Sequence, residues 1–408
     1  MFLFIHELIK MEFDEGLDRK GTNSAKHDFI EDCFDKNNLL PMWVADSDWS
    51  TSEAIIDALE ERIQHGALGY TRPGEEHDRA VVDWLQRRYN WDIDPEWIVY
   101  TNGITPSLSI SVRTFADTGD DVVIQTPVYF PFFSIVENSG CRVLENKLQY
   151  DKEEKRYSID FDDLEDKFCR CEISIGQKKR TSMMILCNPH NPVGRVWTED
   201  ELKRIADLAL EKDILVVSDE IFSDYVYDDK HIPFSSVTEE IEQNSITMIA
   251  PTKTFNIAGL NIGLAIIPNE NLRKRFEDAK EGIVKRGNLF GFTAIKAAYD
   301  ESEGWLDRQL AYLKENRDFA VSFIRKKIPD VDVVKPEGTF LLWIDFNDLG
   351  LGSEELEKLM IEEAEVALNN GIWFGENGEG FMRLNFACPR STLKEGLTRI
   401  RNAVEGLK

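Results

Sequence analysis

The sequence lacks the residue patterns that usually bind zinc or form disulfides. Its six cysteines include no pair at CxxC spacing, and its six histidines form no HExxH motif. We therefore expect no metal site, and we expect free thiols, as in a protein of the reducing cytoplasm. The cysteines are Cys33, Cys141, Cys169, Cys171, Cys187 and Cys388.

Basic residues are scarce relative to acidic ones. Lysine and arginine number 48 against 75 aspartates and glutamates, which gives a formal net charge of −27. A surface field of this sign repels nucleic acids and anionic membranes, so neither is an expected partner.

Long apolar runs are also missing. The opening MFLFIHELIK is apolar, but it is short, contains Glu7 and leads into charged sequence. We therefore expect neither a signal peptide nor a membrane span there. Either Met1 or Met11 could be the native first residue, and the intact mass of the native protein would decide between them.

The sequence does contain enough apolar residues for a packed core. Its 408 residues are 42% hydrophobic and include nine tryptophans, without an internal repeat or a low-complexity tract. A chain of this length suits two domains, each able to bury a core of its own.

Strand and helix patterns alternate between Thr181 and Ala250, which decides the fold class. The apolar runs SMMILC, ILVVSDE and SITMIA predict buried parallel strands. Between the first two lies TEDELKRIADLALEKD, where Thr198 and Glu201 have the spacing of a capping box and open an amphipathic helix. We therefore predict an α/β fold with a mostly parallel sheet flanked by helices.

The three strands of this region end in polar or turn-forming residues. They end at Cys187 to Asn191, at Ser218 to Asp219 and at Ala250 to Lys253. In a doubly wound sheet, ligands bind at such carboxyl ends. Upstream, WIVYTNGITPSLSISVRTF and DVVIQTPVYFPFFSIV each predict a strand, a loop and a helix, and supply two more candidate ligand loops.

Lys253 and Asn191 are candidate functional residues on these loops. A lysine at a strand end, between two threonines, is well placed to form a Schiff base if burial lowers its pKa. Asn191 lies in the proline-rich loop NPHNPVG, where its amide could bind a ring oxygen. Taken alone, Lys253 is better explained as a solvated loop lysine, and Asn191 as part of a double turn.

Asp219 and Tyr129 complete the pattern. Asp219 follows an apolar run, where a carboxylate is costly unless it meets a cation such as a protonated pyridine nitrogen; a helix N-cap is the alternative. Tyr129 in TPVYFPF could stack on a planar ring, although an aromatic residue is more often part of a core or an interface. The order aromatic loop, Asn-Pro loop, strand-end aspartate and strand-end lysine outlines a pyridoxal phosphate site.

The C-terminal part of the chain predicts a second, smaller α+β domain. A long amphipathic helix begins near Glu303, GTFLLWIDF alternates like a strand, and a final helix covers about Ser391 to Leu407. We expect three units. They are an N-terminal segment that joins the small domain (1–58), a large cofactor-binding domain (59–300) and the small domain (301–408).

These motifs carry a resemblance to a known family. From about Phe13 onward, the chain resembles fold-type I pyridoxal-phosphate enzymes of the aminotransferase class I/II superfamily, and more narrowly the MalY/PatB type of cystathionine β-lyase. KTFNIAGL and ACPR are the most specific to that branch. The matching segments are FDEGLDRKGTNSAKHD, PMWVADSDW, GYTRPGE, EWIVYTNGITPSL, IQTPVYFPF, NPHNPVGRVW, SDEIFSDY, KTFNIAGL, PEGTFLLWIDF and MRLNFACPR.

The resemblance implies how pyridoxal 5'-phosphate is held. Lys253 would form the Schiff base and shuttle the proton, Asp219 would pair with the pyridinium nitrogen, Tyr129 would stack on the ring, and Asn191 would contact the ring hydroxyl. The phosphate would lie at a helix N-terminus, a favourable place for an anion. Its ligands would be the amides of Gly103, Ile104 and Thr105, the Thr252 hydroxyl, and Tyr70 from a neighbouring subunit of a homodimer.

The resemblance also implies how a small amino-acid substrate is held. Arg383 in MRLNFACPR would grip the α-carboxylate with its two-pronged guanidinium group, and Asn191 and Ala45 would also contact the substrate. Arg390, the second arginine of the same motif, would be structural.

Two positions depart from the family pattern. Where many aminotransferases carry a phosphate-binding arginine eight residues after the lysine, this chain has Asn261, as suits the lyase branch. Where relatives have tyrosine or histidine three residues after the aspartate, this chain has Phe222, which cannot hydrogen-bond the ring oxygen.

The activity implied by the resemblance is β-elimination from cystathionine or cysteine, which gives pyruvate, ammonia and a thiol. Transamination of amino acids is the nearest alternative, because both reactions share every step up to removal of the α-proton. A cofactor-binding regulator of a transcription activator is a second alternative, against which the joint presence of Lys253, Asp219 and Arg383 argues.

Overall fold

The computed structural model describes residues 12–174 and 177–407, with the side chains of 171–179 left out. The opening segment with Met1 and Met11, and the thiol of Cys171, therefore lie outside the described residues. The other five cysteines are free thiols, as expected.

Sixteen strands are present in the described part of the chain. In chain order they are β1 Leu40–Pro41, β2 Ile98–Thr101, β3 Asp121–Ile124, β4 Arg142–Glu145, β5 Gln149–Asp151, β6 Arg156–Ser158, β7 Cys171–Ser174, β8 Gln177–Cys187, β9 Leu215–Asp219, β10 Ser245–Ile249, β11 Gly263–Ile266, β12 Asp332–Val334, β13 Leu341–Asp345, β14 Val366–Ala367, β15 Asn369–Asn370 and β16 Phe381–Asn385.

The α-helices with assigned bounds flank these strands. In chain order they are α1 Ile30–Phe34, α2 Glu53–Gln64, α3 Glu75–Tyr89, α4 Ile104–Phe115, α5 Pro131–Glu137, α6 Phe161–Phe168, α7 Glu199–Lys212, α8 Glu239–Glu242, α9 Pro251–Thr254, α10 Glu270–Lys280, α11 Leu289–Glu301, α12 Glu303–Lys327, α13 Ser353–Lys358 and α14 Arg390–Glu405. Among the described residues, none of the helices is both long and apolar enough to cross a membrane.

The large sheet has the strand order β2-β11-β10-β9-β8-β3-β4, with β7 paired to β8. The run from β10 to β4 is parallel, and β11 is antiparallel to both of its neighbours. Every residue of β9 and β10 is buried, because helices cover both faces of a parallel sheet. Strands in this position therefore consist mostly of consecutive apolar residues. The mostly parallel sheet predicted from SMMILC, ILVVSDE and SITMIA is confirmed.

The register of this sheet places three strand ends side by side. Cys187 of β8 pairs with Asp219 of β9, and Asp219 pairs with Met248 of β10. The loops that follow the three strands therefore leave the sheet at the same edge, as the sequence predicted.

Helix α7 begins with the predicted capping box. The Thr198 side chain accepts a hydrogen bond from the Glu201 amide at 3.3 Å, and the Glu201 carboxylate accepts one from the Thr198 amide at 2.9 Å. Leu202, Ile205 and Ala209 form the buried face. Such a cap contributes about 1 kcal/mol to helix stability, and it fixes the path between β8 and β9.

A second, antiparallel sheet has the order β12-β13-β16-β15; α12 packs against β12, and α14 packs against α12. The N-terminal segment reaches this part of the molecule, because β1 pairs in parallel with β14 through Leu40 and Val366. This pairing supports the three-unit division given above, which remains our proposal.

Candidate active site

A cavity of about 300 Å³ lies between the carboxyl ends of β8 to β10 and the strands β15 and β16. The structure brings together at this cavity all of the predicted site residues except Tyr70. They are Ala45, Gly103, Ile104, Thr105, Tyr129, Asn191, Asp219, Thr252, Lys253 and Arg383.

Lys253 extends into the cavity from α9, the short helix that follows β10. Its amine donates a hydrogen bond of 2.7 Å to the carbonyl oxygen of Ala45. Burial is the main cause that lowers the pKa of Lys253; the charge of Asp46 opposes this effect and that of Arg383 adds to it. A lysine in such surroundings more readily loses its proton and so becomes a nucleophile or a base.

Asp219 ends β9 with a carboxylate that is only 5% exposed. One oxygen accepts a hydrogen bond from the Ile221 amide at 3.2 Å, and no lysine or arginine of the described residues lies within ion-pair distance. Burial raises the pKa of Asp219 to about 7. A buried carboxylate without a cation is costly, so this position suits a positively charged ring nitrogen.

Arg383 projects from β16 and is 3% exposed. Its hydrogen bonds go to the side-chain oxygens of Asn191 at 3.0 Å and Asn369 at 2.6 Å, and to the carbonyl of Trp43 at 2.9 Å. All three acceptors are neutral, and its Nε atom has no partner among the described residues. Burial lowers the pKa of Arg383 to about 10. A buried cation held only by neutral groups is completed by an anionic ligand such as a carboxylate.

The first turn of α4 lines another part of the cavity. Gly103 is the N-cap residue, with a φ of 129°, and no side chain caps the helix. The amides at this end are therefore available to an anion, which the helix dipole also favours. Thr252, at the start of α9, lines the same cavity.

Tyr129 and Asn191 bring flat and polar groups to the cavity. The Tyr129 ring packs against Phe130 and Phe132, at centroid distances of 5.5 and 5.9 Å, and leaves part of its surface exposed. Because the Asn191 oxygen already accepts from Arg383, its Nδ2 hydrogens are left to donate to a ligand oxygen. Together, the residues that line the cavity fit a planar ring that carries a hydroxyl, an anionic group and a cationic nitrogen.

The two departures from the family pattern also line the cavity. Phe222 is 3% exposed and packs edge-on against Phe340, with 5.3 Å between ring centroids. Asn261 is exposed and has a left-handed backbone, with a φ of 49°. Neither adds a charge to the site.

Arg390 and Tyr70 lie outside the cavity. Arg390 donates to the Asn316 side chain at 2.6 Å, which supports its structural interpretation. Tyr70 is fully exposed and borders an open groove with residues 277–290. Its contact with a phosphate in a neighbouring subunit stays a prediction.

Sequence reasoning missed several residues of the site. Trp43 and Asn369 both hold Arg383, although they come from opposite ends of the chain. Asn102 lines the cavity with a buried side-chain oxygen that has no partner in the described part of the chain. Its place directly before Gly103 was the available signal, since the turn before a phosphate-binding helix often contributes polar groups. Nothing in the segment ALNNG points to Asn369.

Comparison with known proteins agrees with this geometry. Residues 43–400 match the family model described as aminotransferase class I and II. The chain is 41% identical to cystathionine beta-lyase PatB of Bacillus subtilis (strain 168), over 97% of this chain and 100% of that protein. It is 33% identical to protein MalY of Escherichia coli (strain K12), over 97% of this chain and 100% of that protein.

A solved structure of the same fold is also similar to this chain. The PLP-bound C-S lyase from Staphylococcus hominis superposes with a TM-score of 0.86 at 33% identity, over 96% of this chain and 98% of that one. The resemblance drawn from KTFNIAGL, ACPR and the other motifs is confirmed, and so is the predicted fold class.

Proposed function

Because the chain belongs to the aminotransferase class I and II family, we propose that it is a pyridoxal 5'-phosphate-dependent carbon–sulfur β-lyase. Its substrates would be small amino acids with a sulfur at Cβ, such as cystathionine or cysteine, and its products pyruvate, ammonia and a thiol. Named cystathionine β-lyases among its relatives support this choice.

One observation carries the proposal. Asp219 and Arg383 are buried groups of opposite charge that line one cavity with Lys253, and neither has an ion-pair partner among the described residues. A ligand that brings a cationic ring nitrogen to Asp219 and a carboxylate to Arg383 would satisfy both.

The residues present fit pyridoxal 5'-phosphate. Tyr129 would stack on its ring, Asn191 would donate to its hydroxyl, Asp219 would pair with its nitrogen, and Lys253 would bond to it covalently. Its phosphate would bind the uncapped end of α4 and the Thr252 hydroxyl. When bound, the cofactor supplies an electron sink for the electron pair left at Cα once the α-proton is removed.

The remaining steps belong to the chain's own side chains. Arg383 would bind the substrate carboxylate through two parallel hydrogen bonds and so fix the orientation of Cα. The Lys253 amine, whose pKa burial lowers, would take the α-proton at Nζ. The Ala45 carbonyl, 2.7 Å from Nζ, would hold the amine in position. Departure of the thiolate from Cβ would complete the elimination, and hydrolysis of the released aminoacrylate by water would give pyruvate and ammonia.

We also propose that the chain forms a homodimer with shared active sites in the cytoplasm. Leu68, Tyr70 and Ile283 are large apolar residues with relative exposures of 59%, 109% and 75%, and they border one open groove. Exposed apolar groups so close together suit burial against a second copy. Light scattering coupled to gel filtration tests the assembly.

The activity is tested by mixing purified protein with pyridoxal 5'-phosphate and L-cystathionine in the absence of any 2-oxo acid. Continuous release of pyruvate and thiol is the expected result. The substrate could instead convert each cofactor only once, to its amine form, with repeated turnover beginning when a 2-oxo acid was added. The protein would then be an aminotransferase.

A further inference from the structure

A second buried carboxylate lies directly behind Asp219. Glu220 is the next residue in the chain, and successive side chains of an extended segment point to opposite sides. Asp219 lines the cavity, whereas Glu220 is turned away from it and is 1% exposed. The site therefore has two adjacent acidic groups, one at the cavity and one behind it.

Three donors hold the Glu220 carboxylate. One oxygen accepts from the Ser218 hydroxyl and from the Phe234 amide, both at 2.8 Å. The other lies 2.6 Å from Nε2 of His231. A carboxylate that accepts three hydrogen bonds at these distances is satisfied in its ionised form. Burial raises the pKa of Asp219, and the charge of Glu220 adds to this effect.

His231 completes this arrangement as a neutral donor. Its side chain is 1% exposed, and its Nδ1 atom has no hydrogen-bond partner among the described residues. A protonated imidazole would leave a buried N–H at Nδ1 without an acceptor, whereas the tautomer with its hydrogen on Nε2 leaves none. An uncharged His231 therefore does not neutralise the charge of Glu220.

The pair is also joined to the turn that carries Lys253. The His231 ring packs edge-on against Tyr89, with 5.3 Å between centroids. The Tyr89 hydroxyl donates to Asp224, which also accepts from Thr254 at 2.7 Å. Thr254 is the residue after Lys253. A ring contact followed by two hydrogen bonds thus connects the pair to the turn that carries Lys253.

We propose that Glu220 and His231 are a positioning pair, which acts through Asp219 to keep the ring nitrogen of the bound cofactor protonated. Two negative charges beside one cation stabilise it more than the Asp219 charge alone. The electron-sink property of the cofactor depends on that proton. The inference rests on the cofactor role proposed above for Asp219.

Other charged and titratable groups also face this region, and they remain unchanged in the test. Those around Asp219 are Tyr129, Cys187, Lys253 and Arg383, and those around the pair are Arg88, Tyr89 and Asp224.

The test is the variant Glu220→Gln, which removes the charge with little change in shape. The amide oxygen can still accept from Ser218 and Phe234. The amide nitrogen can donate to His231 only if that ring moves its hydrogen to Nδ1, which has no acceptor among the described residues. Each holoprotein is loaded with pyridoxal 5'-phosphate labelled with ¹⁵N at the ring nitrogen, and the ¹⁵N chemical shift is followed as a function of pH.

We expect the apparent pKa of the coupled Asp219 and ring-nitrogen pair to fall in Glu220→Gln by about one unit. Ser218→Ala is the matched control, because it removes one donor to Glu220 and leaves the charge in place. It should titrate like the natural protein. Equal titration of all three proteins, or equal shifts in both variants, would overturn the inference.

A second variant tests the inference if Glu220→Gln does not fold. His231→Phe keeps an aromatic ring against Tyr89 but removes the one donor that Oε2 of Glu220 has among the described residues, whereas Ser218→Ala leaves a donor on each oxygen. A buried carboxylate oxygen without a donor favours the neutral form of Glu220, so the ring nitrogen should titrate at lower pH than in the natural protein. An unchanged titration would count against the pair. A natural protein that bound no labelled cofactor would overturn the proposed function as well, which separates the two failures.

Discussion

Lys253 and Ala45 are 208 positions apart in the chain, yet the amine of one donates a 2.7 Å hydrogen bond to the carbonyl of the other. The contact joins the N-terminal segment to the end of β10. It also orients the side chain of Lys253, which among the described residues is the one lysine that lines the cavity.

Replacement of Lys253 by alanine should abolish covalent binding of pyridoxal 5'-phosphate and all β-elimination. Borohydride reduction followed by peptide mass analysis would locate the bound cofactor in the natural protein. The control is Lys280→Met, which removes another buried lysine, one whose pKa burial lowers to about 8 and whose amine donates to the Tyr100 carbonyl outside the cavity.

The Lys280→Met variant should keep the cofactor attached to Lys253. Attachment to Lys280 instead would contradict the site. If Lys253→Ala lost turnover but kept a biological effect on gene expression, the regulatory alternative would gain support.

Replacement of Arg383 by lysine should lower kcat/KM for L-cystathionine by roughly 10-fold to 100-fold, because lysine cannot make two parallel hydrogen bonds to a carboxylate. Steady-state kinetics measure this loss. Arg390→Lys alters an arginine outside the cavity and should leave kcat/KM nearly unchanged. Equal losses in the two variants would argue against carboxylate binding by Arg383.

Replacement of Asp219 by asparagine should leave the cofactor bound but reduce kcat. Removal of one partner of a buried charge pair costs about 3–5 kcal/mol, which corresponds to roughly 100-fold to several-thousand-fold in rate. The absorbance of the bound cofactor establishes occupancy before turnover is measured. Normal turnover in a fully loaded variant would refute the pairing with the ring nitrogen.

The stability of the apoprotein should depend on pH through Asp219. Burial raises its pKa from 3.8 to about 7, so the folded chain holds this proton more tightly than the unfolded chain. The stabilisation is complete below the unfolded pKa and is lost as the pH rises toward the folded one. Relative to Asp219→Asn, the free energy of unfolding should fall by about 1.4 kcal/mol per unit across the range between these two pKa values.

Urea unfolding of the two apoproteins, at a series of pH values, measures this difference. Parallel dependence of the two unfolding free energies on pH would show that Asp219 does not titrate in the folded state as expected.

Phe222→Tyr should add a donor where the cavity wall has none. A hydrogen bond to the ring oxygen favours its ionised form, so the apparent pKa read from the visible absorbance of the cofactor should fall, by about one unit or less. Phe222→Leu is the control, because it changes the wall without adding a donor. Identical absorbance titrations of the two variants would mean that the hydroxyl does not reach the ring.

The sequence was most informative where local rules apply. β9 and β10 were predicted because strands buried on both faces need continuous apolar residues. The start of α7 was predicted because Thr198 and Glu201 have capping-box spacing. Asp219 and Lys253 were placed together because the carboxyl ends of adjacent parallel strands meet at one edge of the sheet.

Contacts between distant segments could not be predicted in this way. The acceptor of Lys253 is a backbone carbonyl, and every residue type has one, so no local rule pairs Lys253 with Ala45; only the family resemblance placed Ala45 at the site. Asn369 accepts a hydrogen bond from Arg383, its cross-strand partner in β15 and β16. A strand of two residues, such as β15, is too short to show the alternating pattern by which strands are recognised. Whether a second copy brings Tyr70 to the site depends on an assembly that one chain does not contain.

The span of the cavity along the chain has a consequence for biosynthesis. Its walls include residues as far apart in the sequence as Ala45 and Arg383. Because synthesis proceeds from the N-terminus, the lysine and the aspartate leave the ribosome well before the arginine does. The complete site can therefore assemble only after Arg383 has left the ribosome, and tight capture of the cofactor has to wait for that residue.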